Sequence, residues 1–329
     1  MDRRIWIIFL TVFIDLLGFG ILIPILPTFA QNELAMNETL IGLTVGIFSL
    51  MQFIFNPLWG RLSDIYGRKP ILIFGLGGNV ISYIITGLVL GGVLKSIPLL
   101  LISRALAGFF SANIGAAMAY ISDVTPPKDR SKGMGLIGAA FGLGFVFGPF
   151  IGGIMAKRFG YDFPTYFSAV LSFVALLLTM LFVTESLPKE LRGAKTMGGF
   201  NLKNGLQKLL SALKHSHVGF LIMLYFIVVF SISNIFSTFQ LYAESKNGFS
   251  FDIEEVSYLF AFTGLVGAIT QGLLIRPILR IFDERKVFIA ACVIMGVGLG
   301  TIPFSNHILV LLLGSLFLMS FGNGLLLSI

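Results

Sequence analysis

Apolar stretches of about 18 to 24 residues recur along the chain, separated by short polar segments, and each is long enough to cross a bilayer as a helix. Ten such runs are read at about 5–26, 41–59, 71–94, 99–121, 134–155, 164–183, 218–241, 256–275, 287–304 and 308–327. The expected fold class is therefore all-α, a polytopic helical membrane protein. Connections are short except between Glu185 and His217. Within that stretch Leu202, Leu206, Leu209, Leu210 and Leu213 share one helical face with lysines elsewhere, which predicts an amphipathic helix lying along the membrane surface.

Six spans, a connector and four spans give three segments. Residues 1–186 form an N-terminal six-helix bundle, 187–216 a basic connector, and 217–329 a partial second bundle of four helices. The layout suggests two pseudo-symmetric six-helix bundles with the second incomplete, a recurring plan in transporters. The apolar run Gly324–Ile329 has no flanking basic anchor, so the chain reads as cut after its tenth helix.

Composition supports the same class. The 329 residues are 56% hydrophobic and only 12% charged, with a mean hydropathy of +0.93. Soluble domains carry roughly 25% charged residues, so lipid must cover much of this apolar surface. The net charge of +7 would suit nucleic acid, but its distribution argues otherwise. Eighteen of the 23 basic residues fall on the side of the N-terminus, and four (Lys95, Lys157, Arg158 and Lys246) on the other. That asymmetry places the N-terminus in the cytoplasm and leaves no role for nucleic acid. The apolar run after Arg3 and Arg4 continues to about Leu26, too long for a signal-peptide core, so it reads as a retained span. Cys292 is the single cysteine and excludes an intramolecular disulfide; His215, His217 and His307 lack any ligand pattern, so no metal is expected. Without a P-loop or nucleotide fingerprint, no cofactor is expected either.

Three motifs carry more specific information. Gly60-Arg61-Leu62-Ser63-Asp64-Ile65-Tyr66-Gly67-Arg68-Lys69 joins the second and third spans. A positive-inside turn explains Arg68 and Lys69, but not glycines and an aspartate at fixed spacing. Asp64 can accept hydrogen bonds from a helix N-terminus or pair with nearby arginines. In the fifth span Gly138, Gly142, Gly144, Gly148 and Gly152 fall within roughly 160° of arc, with Pro149 and Gly153 beside them. Such a stripe lets another helix approach closely, although generic small-residue packing accounts for any two of the glycines. The fourth span carries Arg104 followed by Gly108, and the first carries Asp15-Leu16-Leu17-Gly18-Phe19-Gly20 with Pro24 and Pro27.

Together these motifs resemble the major facilitator superfamily over residues 5–186: its G-x-L-x-D-x-x-G-R-K loop, its R-x-x-x-G helix, and the G-x-x-x-G-P-x-x-G-G helix of its antiporter branches. The first span is similar to that of twelve-helix drug:proton antiporters, tetracycline exporters included. The chain departs from those exporters where Ser82 stands at their third-helix acid and Arg276 at the second repeat's counterpart of Asp64. The resemblance implies a latch built on Gly60, Asp64, Gly67, Arg68 and Lys69 that docks against the second bundle. It also implies proton-coupled export of amphiphilic or drug-like molecules by a monomer in a bacterial inner membrane.

Asp15 lies about ten residues, or roughly 15 Å, into its span, which makes it a candidate proton site; a structural hydrogen-bonding carboxyl is the alternative. Arg104 is the only basic residue within an apolar span, read either as its coupling partner or as a side chain snorkelling outward. Gln52, Asn56, Asn113, Asn234 and Gln240 are candidate cavity residues for a small-molecule substrate. Competing readings are an importer of a sugar, peptide or organic acid, and a membrane scaffold or enzyme. An enzyme would need convergent acids, histidines or metal ligands that the sequence does not offer.

Overall fold

The computed structural model describes residues 3–126, 130–192, 211–213, 216–234, 238–246, 248–305 and 308–326. The amphipathic segment expected at 202–213 lies almost wholly outside the described residues. No strand occurs among the described residues, and nine helical spans among them are long and apolar enough to cross a membrane. A shorter apolar helix, Val218–Ser231, covers part of the span expected at 218–241 and falls short of a membrane crossing among the described residues. The fold is that of an all-α polytopic membrane protein.

Among the described residues eight α-helices precede the connector: α1 (Arg3–Leu22), α2 (Ile25–Asn32), α3 (Glu38–Tyr66), α4 (Arg68–Leu90), α5 (Ile97–Ser111), α6 (Ile114–Val124), α7 (Arg130–Phe159) and α8 (Phe163–Phe182). Six described α-helices follow it: α9 (Ser216–Asn234), α10 (Gln240–Glu244), α11 (Ile253–Ile269), α12 (Ile275–Ile281), α13 (Glu284–Thr301) and α14 (Leu309–Leu326). α1 and α2 form one span interrupted at Pro24, and α5 and α6 another interrupted at Ala112–Asn113. Polar caps start several helices: the Asn37 side chain accepts from the Leu40 amide at 2.9 Å, and Ser96 from that of Leu99. Asp252 and Glu255 form a reciprocal capping box at the head of α11. The Asp252 carboxylate accepts from the Glu254 and Glu255 amides, while its own amide donates to Glu255, all at 2.9 Å.

The described chain divides into two compact units, Met1–Met197 with Phe251–Ala261, and Gly198–Ser250 with Phe262–Ile329. The head of α11 thus groups with the first six spans, a division that the loop lengths alone do not reveal. Contacts with α7 explain it: Lys157 pairs with Asp252 at 2.6 Å and Glu254 at 3.0 Å, and Phe150 packs on Tyr258. Between them Gly153 lies against Ser257 and Ile253, where a methyl group would sit 2.5 Å from Ser257 Cβ.

In the first unit α1 makes its most extensive contact with α7. A methyl at Gly148 would lie 2.6 Å from Gly20 Cα, and one at Gly20 would lie 2.7 Å from the Gly144 carbonyl. Gly144 faces Leu16, and Gly152 faces Ile21. Gly138 and Gly142 take no part, with nothing within 4 Å of a Cβ built at either. The stripe of five read from the sequence is therefore a contact of three, because α1 follows the groove over only part of its length. α7 continues helically through Pro149. In the second unit the same device joins α13 to α14, where Gly298 meets Ser315 and Met319, and Gly322 meets Ala291 and Met295.

Gly148→Ala should lower the melting temperature of detergent-solubilised protein by several degrees, since overpacking against immovable backbone costs about 1–3 kcal/mol. Gly138→Ala should stay within about 0.5 kcal/mol of the parent, so equal losses in the two variants would contradict the assigned contact.

Burial raises the Asp252 carboxyl, but the hydrogen bond from Lys157 and those from the Glu255 and Glu254 amides outweigh it and hold the group below its ordinary value of 3.8. A depressed acid contributes stability that is complete above its unfolded value and lost as pH falls through its folded value. Melting temperature should therefore show an acid-side decline below about pH 4, and Lys157→Gln, which brings the folded value back toward the unfolded one, should shrink that decline. Identical pH–melting profiles for the two proteins would show that the pair does not act on Asp252.

Candidate functional site

α1 carries Asp15 into the interior of the first unit, where it is 5% exposed. Its Oδ1 accepts a 2.7 Å hydrogen bond from Asn79 Nδ2 on α4. Asn79 Oδ1 in turn accepts from Ser111 Oγ on α5 at 3.2 Å, and the Ser111 carbonyl accepts from Gln52 Nε2 on α3 at 3.3 Å. One polar chain thus links four helices and brings two of the residues singled out from the sequence, Asp15 and Gln52, together. Asn79 and Ser111 are additions that the sequence reading missed.

Arg104 projects from α5 and is 1% exposed. This burial excludes the snorkelling alternative. Its guanidinium carbon lies 5.0 Å from the centre of the Phe48 ring. Nε and Nη1 have no hydrogen-bond partner among the described residues. A cation over a desolvated ring recovers about 2 kcal/mol, whereas removing an ion from water costs several. The guanidinium is thus under-compensated as it stands. Arg104 and Asp15 form no ion pair with each other among the described residues. Between them electrostatically stands Tyr83, which interacts with both charges and is 1% exposed. Its hydroxyl sits against Gly18, where a methyl group would come within 2.6 Å of it. Its chain neighbour Ser82 is fully buried and donates to the Gly78 carbonyl.

An aromatic group adjoins Arg104. Phe48 stacks on Phe19 at 4.5 Å between centroids, and Phe19 meets Phe145 edge-on at 5.9 Å. Gly108, one turn beyond Arg104, packs against the Phe48 backbone, so α3 and α5 touch where the cation meets the ring.

The remaining sequence candidates are dispersed. Asn56 is half-buried with its Oδ1 against Gly115, and Asn113 is buried against Gly75 with its Nδ2 unpartnered. In the second unit Gln240 is buried and donates to Glu244. The side chain of Asn234 lies outside the described residues.

The loop between α3 and α4 forms a separate charged cluster. Asp64 pairs with Arg68 at 2.6 Å, and Arg68 also reaches Asp123 at 3.2 Å and Ser63 Oγ at 2.6 Å. A helix N-terminus is indeed satisfied by a carboxylate here, but not that of Asp64. The amides of Arg68 and Lys69, which open α4, donate to Glu185 at 2.9 and 3.2 Å. Gly67, at φ 107°, supplies both the left-handed turn and the space that the Glu185 carboxylate occupies. Lys69 Nζ caps the Met180 carbonyl of α8 at 2.8 Å, while a Cβ built at Gly60 would meet nothing within 4 Å among the described residues.

Comparison with known proteins accords with this architecture. The sequence model of the Major Facilitator Superfamily matches residues 8–329. Multidrug resistance protein 1 of Bacillus subtilis (strain 168) is 32% identical over 283 residues, 84% of this chain and 67% of that protein. Tetracycline resistance protein, class H, of Pasteurella multocida is 35% identical over 192 residues, 58% of this chain and 46% of that protein. The chain thus matches about half the length of the latter relative. Among solved structures, the human organic anion transporter MFSD10 (TETRAN) superposes with a TM-score of 0.72 over 99% of this chain and 84% of that one. At 24% identity that likeness bears on the fold alone. With a match running over nearly its whole length and the helical fold to go with it, the chain belongs to the Major Facilitator Superfamily.

Proposed function

We propose that the protein is a secondary active transporter that exports small amphiphilic, drug-like molecules in exchange for protons, with Asp15 as the protonatable group. The observation that carries this reading is a carboxyl deep in an apolar span whose hydrogen-bond partner is a neutral amide. Asn79 can keep donating whether or not Asp15 holds a proton, so the site tolerates both states, as a coupling site must. A direct ion pair with Arg104 would instead pin the carboxylate in its charged form. Arg104 then acts as the distant cation whose approach or withdrawal sets proton loading. The resistance proteins among the relatives support export of drug-like compounds.

The latch reading of Gly60, Asp64, Gly67, Arg68 and Lys69 belongs to the same proposal. The Asp64–Arg68 pair is the element that a conformational change would break. Charge asymmetry along the loops supports a cytoplasmic N-terminus; a monomer in a bacterial inner membrane belongs to the same proposal.

Asp15→Asn, reconstituted in liposomes, tests the coupling. Efflux of fluorescent aromatic compounds driven by an imposed proton gradient should be lost, and substrate binding should lose its pH dependence. Normal export at all pH values would reduce Asp15 to a structural hydrogen-bonder. Orientation is tested by single cysteines in a Cys292→Ser background. Positions 33–38 should react with an impermeant maleimide from outside the cell and positions 61–69 only from within; reaction of both from one side would overturn the topology.

A further inference from the structure

Coupling draws on the charge of Arg104 but leaves its unpartnered donors and the ring over it unused. An arginine keeps its proton at any working pH, so this interior position carries a fixed positive charge. Two guanidinium nitrogens have nothing to donate to among the described residues, and Asp15 is engaged with Asn79 instead. One ring lies over the charge, that of Phe48 of α3, and two rings from other helices continue from it: Phe19 of α1 stacked on Phe48, and Phe145 of α7 against Phe19. Phe19 and Phe145 are only half-buried. An unpaired cation bordered by an aromatic wall is complementary to an anion attached to an aromatic body.

We propose that Arg104 is an anion-binding subsite on the transport path, receiving the carboxylate of an aromatic organic acid while Phe48, Phe19 and Phe145 hold its ring system. This assignment rests on the reading of the protein as a transporter of amphiphilic molecules and narrows that class to aromatic anions. In the conformation described here the guanidinium is buried beneath the Phe48 ring, so entry requires that ring to swing aside. Ionisable groups interacting with the subsite are Tyr83 of α4 and, through Tyr83, Asp15 of α1. Proton loading at Asp15 would alter the field in which the anion sits, which gives substrate and proton a physical means of sensing each other.

A matched pair of probes tests the subsite: 2-naphthoate and its neutral isostere 2-naphthamide, titrated into purified protein in nanodiscs at neutral pH. The parent protein should prefer the carboxylate. Arg104→Gln should weaken naphthoate binding by roughly 10- to 100-fold, the worth of a charge-assisted hydrogen bond, and collapse the naphthoate-to-naphthamide affinity ratio. Arg104→Lys, which keeps the charge but loses the planar fork, should retain part of the preference and serves where the glutamine variant fails to fold. No preference in the parent, or an undiminished ratio in both variants, would overturn the subsite. Failure of the two proposals is separable. If Asp15→Asn abolishes gradient-driven efflux while the ratio ignores Arg104, only the subsite falls. If the ratio depends on Arg104 but transport never responds to a proton gradient, the coupling reading falls and the subsite stands.

Discussion

Backbone against backbone, Gly20 of α1 on Gly148 of α7, is the contact on which the interior of the first unit depends. Lipid tails are as apolar as leucine, so burying apolar surface gives helices in a bilayer no reason to associate. Close van der Waals approach must supply the attraction, and it needs a path free of side chains. Gly144, Gly148 and Gly152, four residues apart, provide that path, and α1 settles into it through Leu16, Gly20 and Ile21. Thr11 then meets Thr179 of α8 at 3.2 Å, and Asp15 meets Asn79 of α4. α1 is thereby surrounded, and its carboxyl is held away from lipid.

Once the helices are this close, hydrocarbon around them imposes a second condition: each interior polar group must find a partner within the protein. The chain from Gln52 through Ser111 and Asn79 to Asp15 meets it across four helices. Arg104, on the same helix as Ser111, does not meet it at Nε and Nη1 among the described residues, where the Phe48 face compensates in part. The contrast within one small region is informative. A fold able to satisfy a carboxyl with a precisely placed amide has the means to satisfy a guanidinium too, and its leaving two donors unspent points to a partner that comes and goes.

The spans were readable from the sequence because length and apolarity alone decide whether a helix can cross a bilayer. Asp15 and Arg104 were equally readable, since an ionisable residue inside such a run is rare and conspicuous. What could not be read is who meets whom. Glycine spacing marks a face of α7 but not the stretch over which α1 uses it, so Gly138 and Gly142 looked equivalent to Gly148. Asn79, Tyr83 and Ser111 carry no charge and are ordinary residues for a transmembrane helix. Their importance lies in contacts such as Asn79 with Asp15, 64 positions apart. Gly153 looked like one more packing glycine, whereas its neighbour is Ser257, far along the chain and reached only through the head of α11.

The charged loop between α3 and α4 carries this reasoning furthest. Its spacing suggested an aspartate free to engage a helix end elsewhere, yet in the first unit the open helix end is that of α4 itself. Glu185, just beyond α8, takes its two leading amides because Gly67 has no side chain to exclude the carboxylate. Negative charge at a helix N-terminus is favourable through the macrodipole as well as through the hydrogen bonds. Arg68 is the hub, shared by Asp64, Asp123 and Ser63, and a planar guanidinium with five donors can hold several acceptors at once where an ammonium would have to choose. Arg68 is largely buried, whereas the Asp64 side chain is 40% exposed. The arginine is therefore the structural half of the pair and the aspartate the exchangeable half. Loss of the Asp64 contact would leave Arg68 still anchored by Asp123 and Ser63, with Glu185 still seated on α4. One sequence signature thus combines a fixed joint with a releasable one, and the difference between them is written in how deeply each partner is buried.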